Sequence, residues 1–381
     1  MHRQFEKQSP VSNRREFLLR TGLATGAAAL FAGRFARGAE SPGVAPQTPP
    51  APQPAAAASA APAKVALTNG DNRTDNIFQA MKSLEKEIAQ SIGSRRVVIK
   101  PNNVSTSNQL SSTHADALAG ILEFLKSIGK LDNAIIAESS SVNTMQCFRN
   151  FGYTPLADKY NVKLVDLDRE KYQTIMAFDQ TDAKPHPVRV SSILANQKDN
   201  FIISTCILKT HDRAVATLSI KNIVLGSAMK LPSLNGGGGG RGGRGGFGGG
   251  SDKPILHGGG AHGININLAM LAPMLHPSLS VIDGFEGMEG NGPINGTRVD
   301  HRVCVVSTDY VAADTVGASL MGIDPADVGY LTYLAAAKAG EFDLAKMEIL
   351  GEPVAQHARK YRLEASIERQ LQWKNAVRVA S

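Results

Sequence analysis

The chain has 381 residues, with 41 basic and 34 acidic side chains and a formal net charge of +7. Three cysteines, none in a C-x-x-C spacing, exclude an iron–sulfur cluster built on four thiolates of this chain alone. An odd number also leaves at least one thiol unpaired in an oxidising compartment. Cys206 and Cys304 lie in apolar runs and read as small buried hydrophobes.

Ser12-Asn13-Arg14-Arg15-Glu16-Phe17-Leu18 opens the chain's first recognisable pattern. Paired arginines followed by an apolar residue and leucine mark twin-arginine export. Residues 21–33 are uncharged and rich in Ala, Gly and Leu, but shorter than the about 20 apolar residues a membrane-spanning helix needs. Small residues follow, and cleavage is expected near Gly38 or Ala39. Residues 1–39 are thus expected to be a twin-arginine signal peptide. The expected partner is the twin-arginine translocase, the destination is the periplasm, and no stable transmembrane span remains. Removing the seven basic and two acidic residues of 1–39 leaves 34 and 32, a net +2. The surplus of positive charge is therefore no sign of nucleic-acid binding. Residues 40–63 are almost wholly Pro, Ala and Gln and read as a disordered linker.

From residue 64 onward strand and helix signals alternate. Residues 64–67 read as a strand, 76–92 as a helix with apolar positions at Ile77, Met81, Leu84 and Ile88, and 96–100 as a β-branched strand stopped by Pro101. A helix is expected over 117–128, closed by Gly129. Strands follow at 134–137, 162–165 and 201–205, the last apolar on both faces as in a buried parallel sheet. Residues 173–190 read as an antiparallel excursion, and a short apolar helix begins near Ala216. Strands at 279–282 and 302–306 and helices at 310–321 and 326–338 complete the series. The alternation predicts an α/β fold, a mostly parallel doubly wound sheet flanked by helices. Its length leaves room for two lobes, but no linker interrupts 64–381, so one domain is expected. Residues 236–250 contain only Gly, Arg and Phe and predict a flexible insertion.

Ligands of open α/β sheets bind at the carboxyl ends of the strands. Each expected strand ends in polar groups: Lys100-Pro101-Asn102-Asn103, Glu138-Ser139-Ser140-Ser141, Lys209-Thr210-His211, Asp283-Gly284 and Ser307-Thr308-Asp309. A sheet built only for stability would end in ordinary turn residues. Lys100 and Lys209 are expected to hold an anion or, with burial lowering their pKa, to act in proton transfer. His211 is expected to be a catalytic base or metal ligand. Asn102, Asn103, Lys221 and Asn222 are expected to contact the substrate. His211, His257, Asp283, Glu289 and Asp314 form the expected ligand set for a divalent metal, although their spacing matches no finger or zincin motif and His257 reads equally well as a core histidine. Residues 283–296 contain five glycines and read as a loop whose backbone approaches a ligand closely. No G-x-G-x-x-G follows a strand, and no P-loop or G-x-S-x-G elbow occurs.

The runs Val97-Val98-Ile99-Lys100-Pro101-Asn102, Leu208-Lys209-Thr210-His211, Ser219-Ile220-Lys221-Asn222, Leu256-His257-Gly258, Val281-Ile282-Asp283-Gly284, Met288-Glu289-Gly290-Asn291-Gly292-Pro293 and Ser307-Thr308-Asp309 with Ala313-Asp314 occur in that order. Together they resemble the domain of unknown function 362 family over residues 95–325. Many members carry a ferredoxin-like cysteine module that this chain lacks, so the resemblance implies a domain and a site map but no direct electron transfer here. A fainter similarity is to the lactate racemase family, which holds an organometallic nickel cofactor by lysine and histidine. The sequence thus predicts an exported metal- or cofactor-dependent enzyme doing acid–base chemistry on a small anion. The alternative is a non-catalytic periplasmic protein that binds a metal or metabolite, or services an iron–sulfur partner. A third reading, a surface-interaction role, rests on the linker and the Arg-Gly-Gly stretch.

Overall fold

The structure, a computed structural model, describes residues 61–230 and 250–375. The expected signal peptide, nearly all of the expected linker and all but the last residue of the 236–250 insertion lie outside the described residues. From Pro62 onward the described residues form one compact unit around one nine-stranded sheet, rather than two lobes.

The strands are β1 (Lys64–Asn69), β2 (Arg96–Lys100), β3 (Ala134–Glu138), β4 (Lys163–Asp166), β5 (Tyr172–Asp179), β6 (Lys184–Ser191), β7 (Asn200–Thr210), β8 (Ala216–Thr217), β9 (Leu279–Glu289), β10 (Thr297–Ser307) and β11 (Glu348–Gly351). Their order across the sheet is β11-β1-β10-β9-β7-β2-β3-β4, with β8 added to the end of β7. β2 pairs in parallel with both β3 and β7, β3 with β4, β7 with β9, and β1 with β11. β10 runs antiparallel to β1 and β9. The expected mostly parallel α/β sheet is present, and the 173–190 excursion is the separate antiparallel hairpin of β5 and β6.

Period-two alternation splits the apolar side chains between two layers. Val97 and Ile99 of β2 and Phe201 and Ile203 of β7 pack with the helices Arg73–Lys82, Glu85–Ile92, Ala115–Ser127, Thr144–Asn150 and Tyr153–Tyr160. Cys206 and Leu208 face the other way, toward the helices Ser219–Gly226, Ala261–Leu275, Tyr310–Leu320 and Gly329–Ala336. All three cysteines are free and buried, as the apolar runs around Cys206 and Cys304 predicted for those two.

Three expectations need correction. The short helix expected from near Ala216 to Lys221-Asn222 starts at Ser219 and runs on to Gly226, because Ala216 and Thr217 pair with the end of β7 as β8. The helix expected over 76–92 is two helices: the Ser83 hydroxyl donates back to Gln79 O at 3.0 Å and the chain restarts at Glu85. The glycine-rich stretch from Asp283 is not a loop at its start. β9 continues to Glu289 because β10 pairs along its length, and only the turn beyond Glu289 is irregular. Among the described residues, no helix is long and apolar enough to cross a membrane.

Candidate active site

From β2, successive strands step outward to β3 and β4; from β7 they step the opposite way to β9. A crevice opens where the order reverses, outside the carboxyl ends of β2 and β7. A cavity of about 390 Å³ lies there, lined by residues following β2, β3 and β7 and by the helix Ser219–Gly226.

At its base Lys100 closes β2. Its ammonium donates to Glu138 Oε1 at 2.9 Å, Asn222 Oδ1 at 3.0 Å and Pro101 O at 3.1 Å, which uses all three of its protons. Lys100 and Glu138 are each only 1% exposed. Burial pushes the Glu138 carboxyl above its usual range, and the nearby Lys100 charge offsets part of that push. Glu138 Oε2 has no hydrogen-bond partner among the described residues. Asn222 ties the site to the sheet: its Nδ2 donates to Ser204 Oγ at 3.0 Å and Lys100 O at 3.2 Å, while its Oδ1 also accepts from Asn102 Nδ2 at 3.1 Å. Gly226, at the end of the same helix, has no room for a Cβ, which would overlap the Lys100 ammonium.

Helix Ser219–Gly226 is held at its start from outside. The Asp314 carboxylate accepts from the backbone N–H of Ser219 at 2.8 Å and Ile220 at 3.1 Å, and from the Tyr330 hydroxyl at 3.1 Å. This satisfies orphan donors of the helix and places negative charge at its positive end. Burial raises the Asp314 carboxyl to about 7, with the two backbone donors pulling it down. Asp314 is therefore a helix anchor, not a cavity group. Asp314→Ala is expected to cost about 1–3 kcal/mol in urea unfolding, because two buried N–H groups lose their acceptor. An unchanged midpoint would show that the helix start does not depend on this carboxylate.

Two histidines face the cavity with rings stacked at 6.5 Å between centroids. His211 Nδ1 accepts from Arg213 N–H at 3.0 Å, while Asp212 Oδ1, 3.1 Å from the same nitrogen, is not aligned as a hydrogen bond, so the neutral ring carries its proton on Nε2. His257 Nδ1 faces Lys253 O at 2.8 Å, so it carries the proton and Nε2 holds the lone pair. Burial, then the charge of Lys221, holds His211 well below the usual histidine range and His257 down at about 3. Two further ammonium groups line the space. Lys221 has no hydrogen-bond or ion-pair partner among the described residues, and burial lowers it to about 8. Lys253 donates to Ala228 O at 2.9 Å, and burial lowers it to about 7.

Of the residues singled out by sequence, Lys100, Asn102, Asn103, His211, Lys221, Asn222 and His257 line this one cavity. Lys209 does not. It has the opposite strand parity to Cys206 and Leu208, lies on the far face of the sheet, and donates to Ser111 O at 2.7 Å. Nor do the three carboxylates of the expected metal set. Asp283 Oδ2 stands 3.1 Å from Arg73 Nε, an ion contact not aligned as a hydrogen bond, and its Oδ1 accepts from Phe285 N. Glu289 accepts from Arg362 N at 2.9 Å. Among the described residues no group of three or more His, Cys, Asp or Glu side chains stands where it could hold a metal ion. The cavity offers two imidazoles amid three ammonium groups, and that potential opposes a cation. The donor set does not fit the divalent metal that the sequence led us to expect.

Sequence reasoning placed Glu138 among the strand-end polar groups but gave it no role, and it missed Lys253 and Arg213 as lining groups. Glu138 carried the signal, a carboxylate at a buried strand end. Lys253 sits one helical turn before His257, a spacing that shares a face.

A model of the family described as Domain of unknown function (DUF362) matches residues 97–319. A thylakoid-associated protein of Synechocystis sp. (strain ATCC 27184 / PCC 6803 / Kazusa) is 24% identical over 237 residues, covering 61% of this chain and 65% of that protein. The chain thus spans just under two thirds of that relative's length. Among solved structures, the lactate racemase apoprotein from Thermoanaerobacterium thermosaccharolyticum shares 11% identity at a TM-score of 0.42, covering 68% of this chain and 57% of that one.

Proposed function

The chain belongs to the domain of unknown function 362 family, and we propose that it is an exported enzyme that binds a small organic anion and moves a proton on it. The observation that carries this reading is the meeting of Lys100, Lys221 and Lys253 with two neutral histidines around one cavity. Lys221 and Lys253 hold the anion. His257, with its lone pair on Nε2, is the proton acceptor, and His211, with its proton on Nε2, is the donor. Opposite tautomers facing one space are what an acid–base pair needs. Both rings are too weakly basic when the cavity holds no negative charge. An anion beside them raises the pKa of every cationic acid in the site, so binding itself readies the histidines. Export is supported by residues 12–39 of the sequence.

The decisive experiment is a thermal-shift screen of organic anions on the full chain, followed by turnover assays on those that bind. A ligand at about 100 times its Kd raises stability by about 2.7 kcal/mol. His211→Ala should keep that rise and lose turnover. Full turnover in His211→Ala removes the catalytic assignment, and binding without turnover in the wild type makes this a binding protein. Replacing Arg14 and Arg15 by lysine should leave the precursor in the cytoplasm, as cell fractionation would show.

Anion affinity should also depend on pH in a defined direction. Unliganded Lys221 and Lys253 lose protons near 8 and near 7. The bound anion favours their charged forms, so binding takes up protons above these values and affinity falls as pH rises through them. Below the lower value both lysines are already charged and contribute no further pH dependence. Calorimetry in buffers of different ionisation enthalpy reads the uptake directly. Zero uptake at alkaline pH would separate the lysines from the ligand.

A further inference from the structure

The cavity's cations fall into two groups, not one. Lys253 Nζ donates to Ala228 O, which also accepts from the hydroxyl of Ser139, the residue after β3. Lys253 therefore serves the β3 end. Lys221 lies in the first turn of the helix that follows β8, and β8 pairs with the end of β7 through Lys209 opposite Thr217; Asp212 and Arg213 sit just past that end. Lys221 therefore serves the β7 end. β2 lies between these strands, so the two ends are two interstrand spacings apart, about 10 Å.

The charges do not cancel. Lys100 and Glu138 neutralise each other at 2.9 Å in the base. Of the remaining lining groups, Arg213 and Asp212 lie toward solvent, while Lys221 and Lys253 are buried with no buried carboxylate paired to either among the described residues. A monoanion would neutralise one end and leave the lysine at the other either a buried ammonium without a counter-charge, which is costly, or a neutral amine with nothing to hold.

We infer that the cavity is built for a linear organic dianion with one anionic group at the Lys221–Arg213 end, a second at the Lys253 end, and its reacting carbons beside the paired histidines. The inference deepens the anion-pocket reading and rests on it. The about 10 Å between the two strand ends is on the scale of a short dicarboxylate.

Calorimetric titration of the full chain at fixed pH and ionic strength tests this with matched pairs, succinate against butyrate and glutarate against valerate. A dicarboxylate should bind at least about tenfold more tightly than its partner, a preference that Lys221→Met or Lys253→Met should each shrink to about twofold or less. Circular dichroism of each variant reports that the fold is intact. Equal affinity for both members of a pair in the wild type overturns the dianion inference and leaves the anion pocket standing. So does a preference that survives both substitutions. Failure of all four anions to bind removes the anion pocket itself. If a variant does not fold, the wild-type comparison still decides.

Discussion

Glu138→Ala is expected to destabilise the protein by about 3–5 kcal/mol, the cost of leaving a buried charge without its partner. Lys100 cannot follow its lost counter-charge to water, since it is 1% exposed and enclosed by Asn222, Pro101 and Gly226. The neighbouring Lys253 and Lys230 make the site more hostile to a lone ammonium, because both now lean on the same carboxylate. Glu138→Gln should cost less, because an amide oxygen still accepts from Lys100 Nζ at 2.9 Å while the charge alone is lost. The double variant Lys100→Met, Glu138→Leu should recover most of the loss, because an apolar pair of similar volume is often as stable as a buried ion pair. Urea unfolding gives each cost, and the single variants Lys100→Met and Glu138→Leu complete the cycle that gives the coupling energy. A cost below about 1 kcal/mol for Glu138→Ala would mean the lysine sheds its proton without penalty, contrary to the usual price of an uncompensated charge.

The reason to retain such a pair is positional. Asn222 is oriented by Lys100 on one side and Ser204 on the other, and it in turn holds Asn102 at the cavity edge. Stability and site geometry are thus carried by the same few polar groups, and variants of either partner should lose anion binding along with stability.

Much of this arrangement was legible in the sequence because strand ends are. A β-branched run stopped by Pro101 fixes where β2 ends, and the polar residue at that end must then face the crevice or solvent. The same logic found His211, whereas Lys221 and Asn222 came from a helix and from the family resemblance. It failed for Lys209, which ends a strand just as convincingly. The failure has a physical cause: β7 runs one residue past Lys209, so strand parity, not strand end, decides which face the side chain takes. Parity could be counted only once the register of β7 against β2 was known, Lys100 opposite Ser204. Asp283, Glu289 and Asp314 misled for another reason. A carboxylate beside a glycine or at a helix start looks the same in sequence whether it meets a ligand, an arginine or another helix's N–H groups. Only the fold brings Asp314 to Ser219, 95 residues away in the chain.

The glycines around His257 give the second large effect. Gly263→Ala is expected to destabilise the protein by about 1–3 kcal/mol or more by overpacking, and to release His257 from its place. A Cβ on Gly263 would overlap the carbonyl group of Gly258. Neither partner is a flexible side chain. Gly263 lies in the first turn of the helix Ala261–Leu275, with its N–H donating to Gln180 Oε1 at 2.8 Å. Gly258 is held by Gln180 N donating to its carbonyl at 3.0 Å and adopts a φ of +58°, which L side chains rarely take. The strain must therefore pass to the next residue in the chain, His257. In the wild type, burial and the Lys221 charge keep that ring neutral down to about 3. Once displaced toward solvent it should titrate nearer the ordinary histidine value of about 6.5. Carbon–proton NMR of the histidine rings follows this without an activity assay. A wild-type ring that does not titrate above the acid range should become one that does, with anion affinity falling in parallel. A Gly263→Ala protein of wild-type stability, whose His257 still resists protonation, would show that the turn has slack the packing does not suggest.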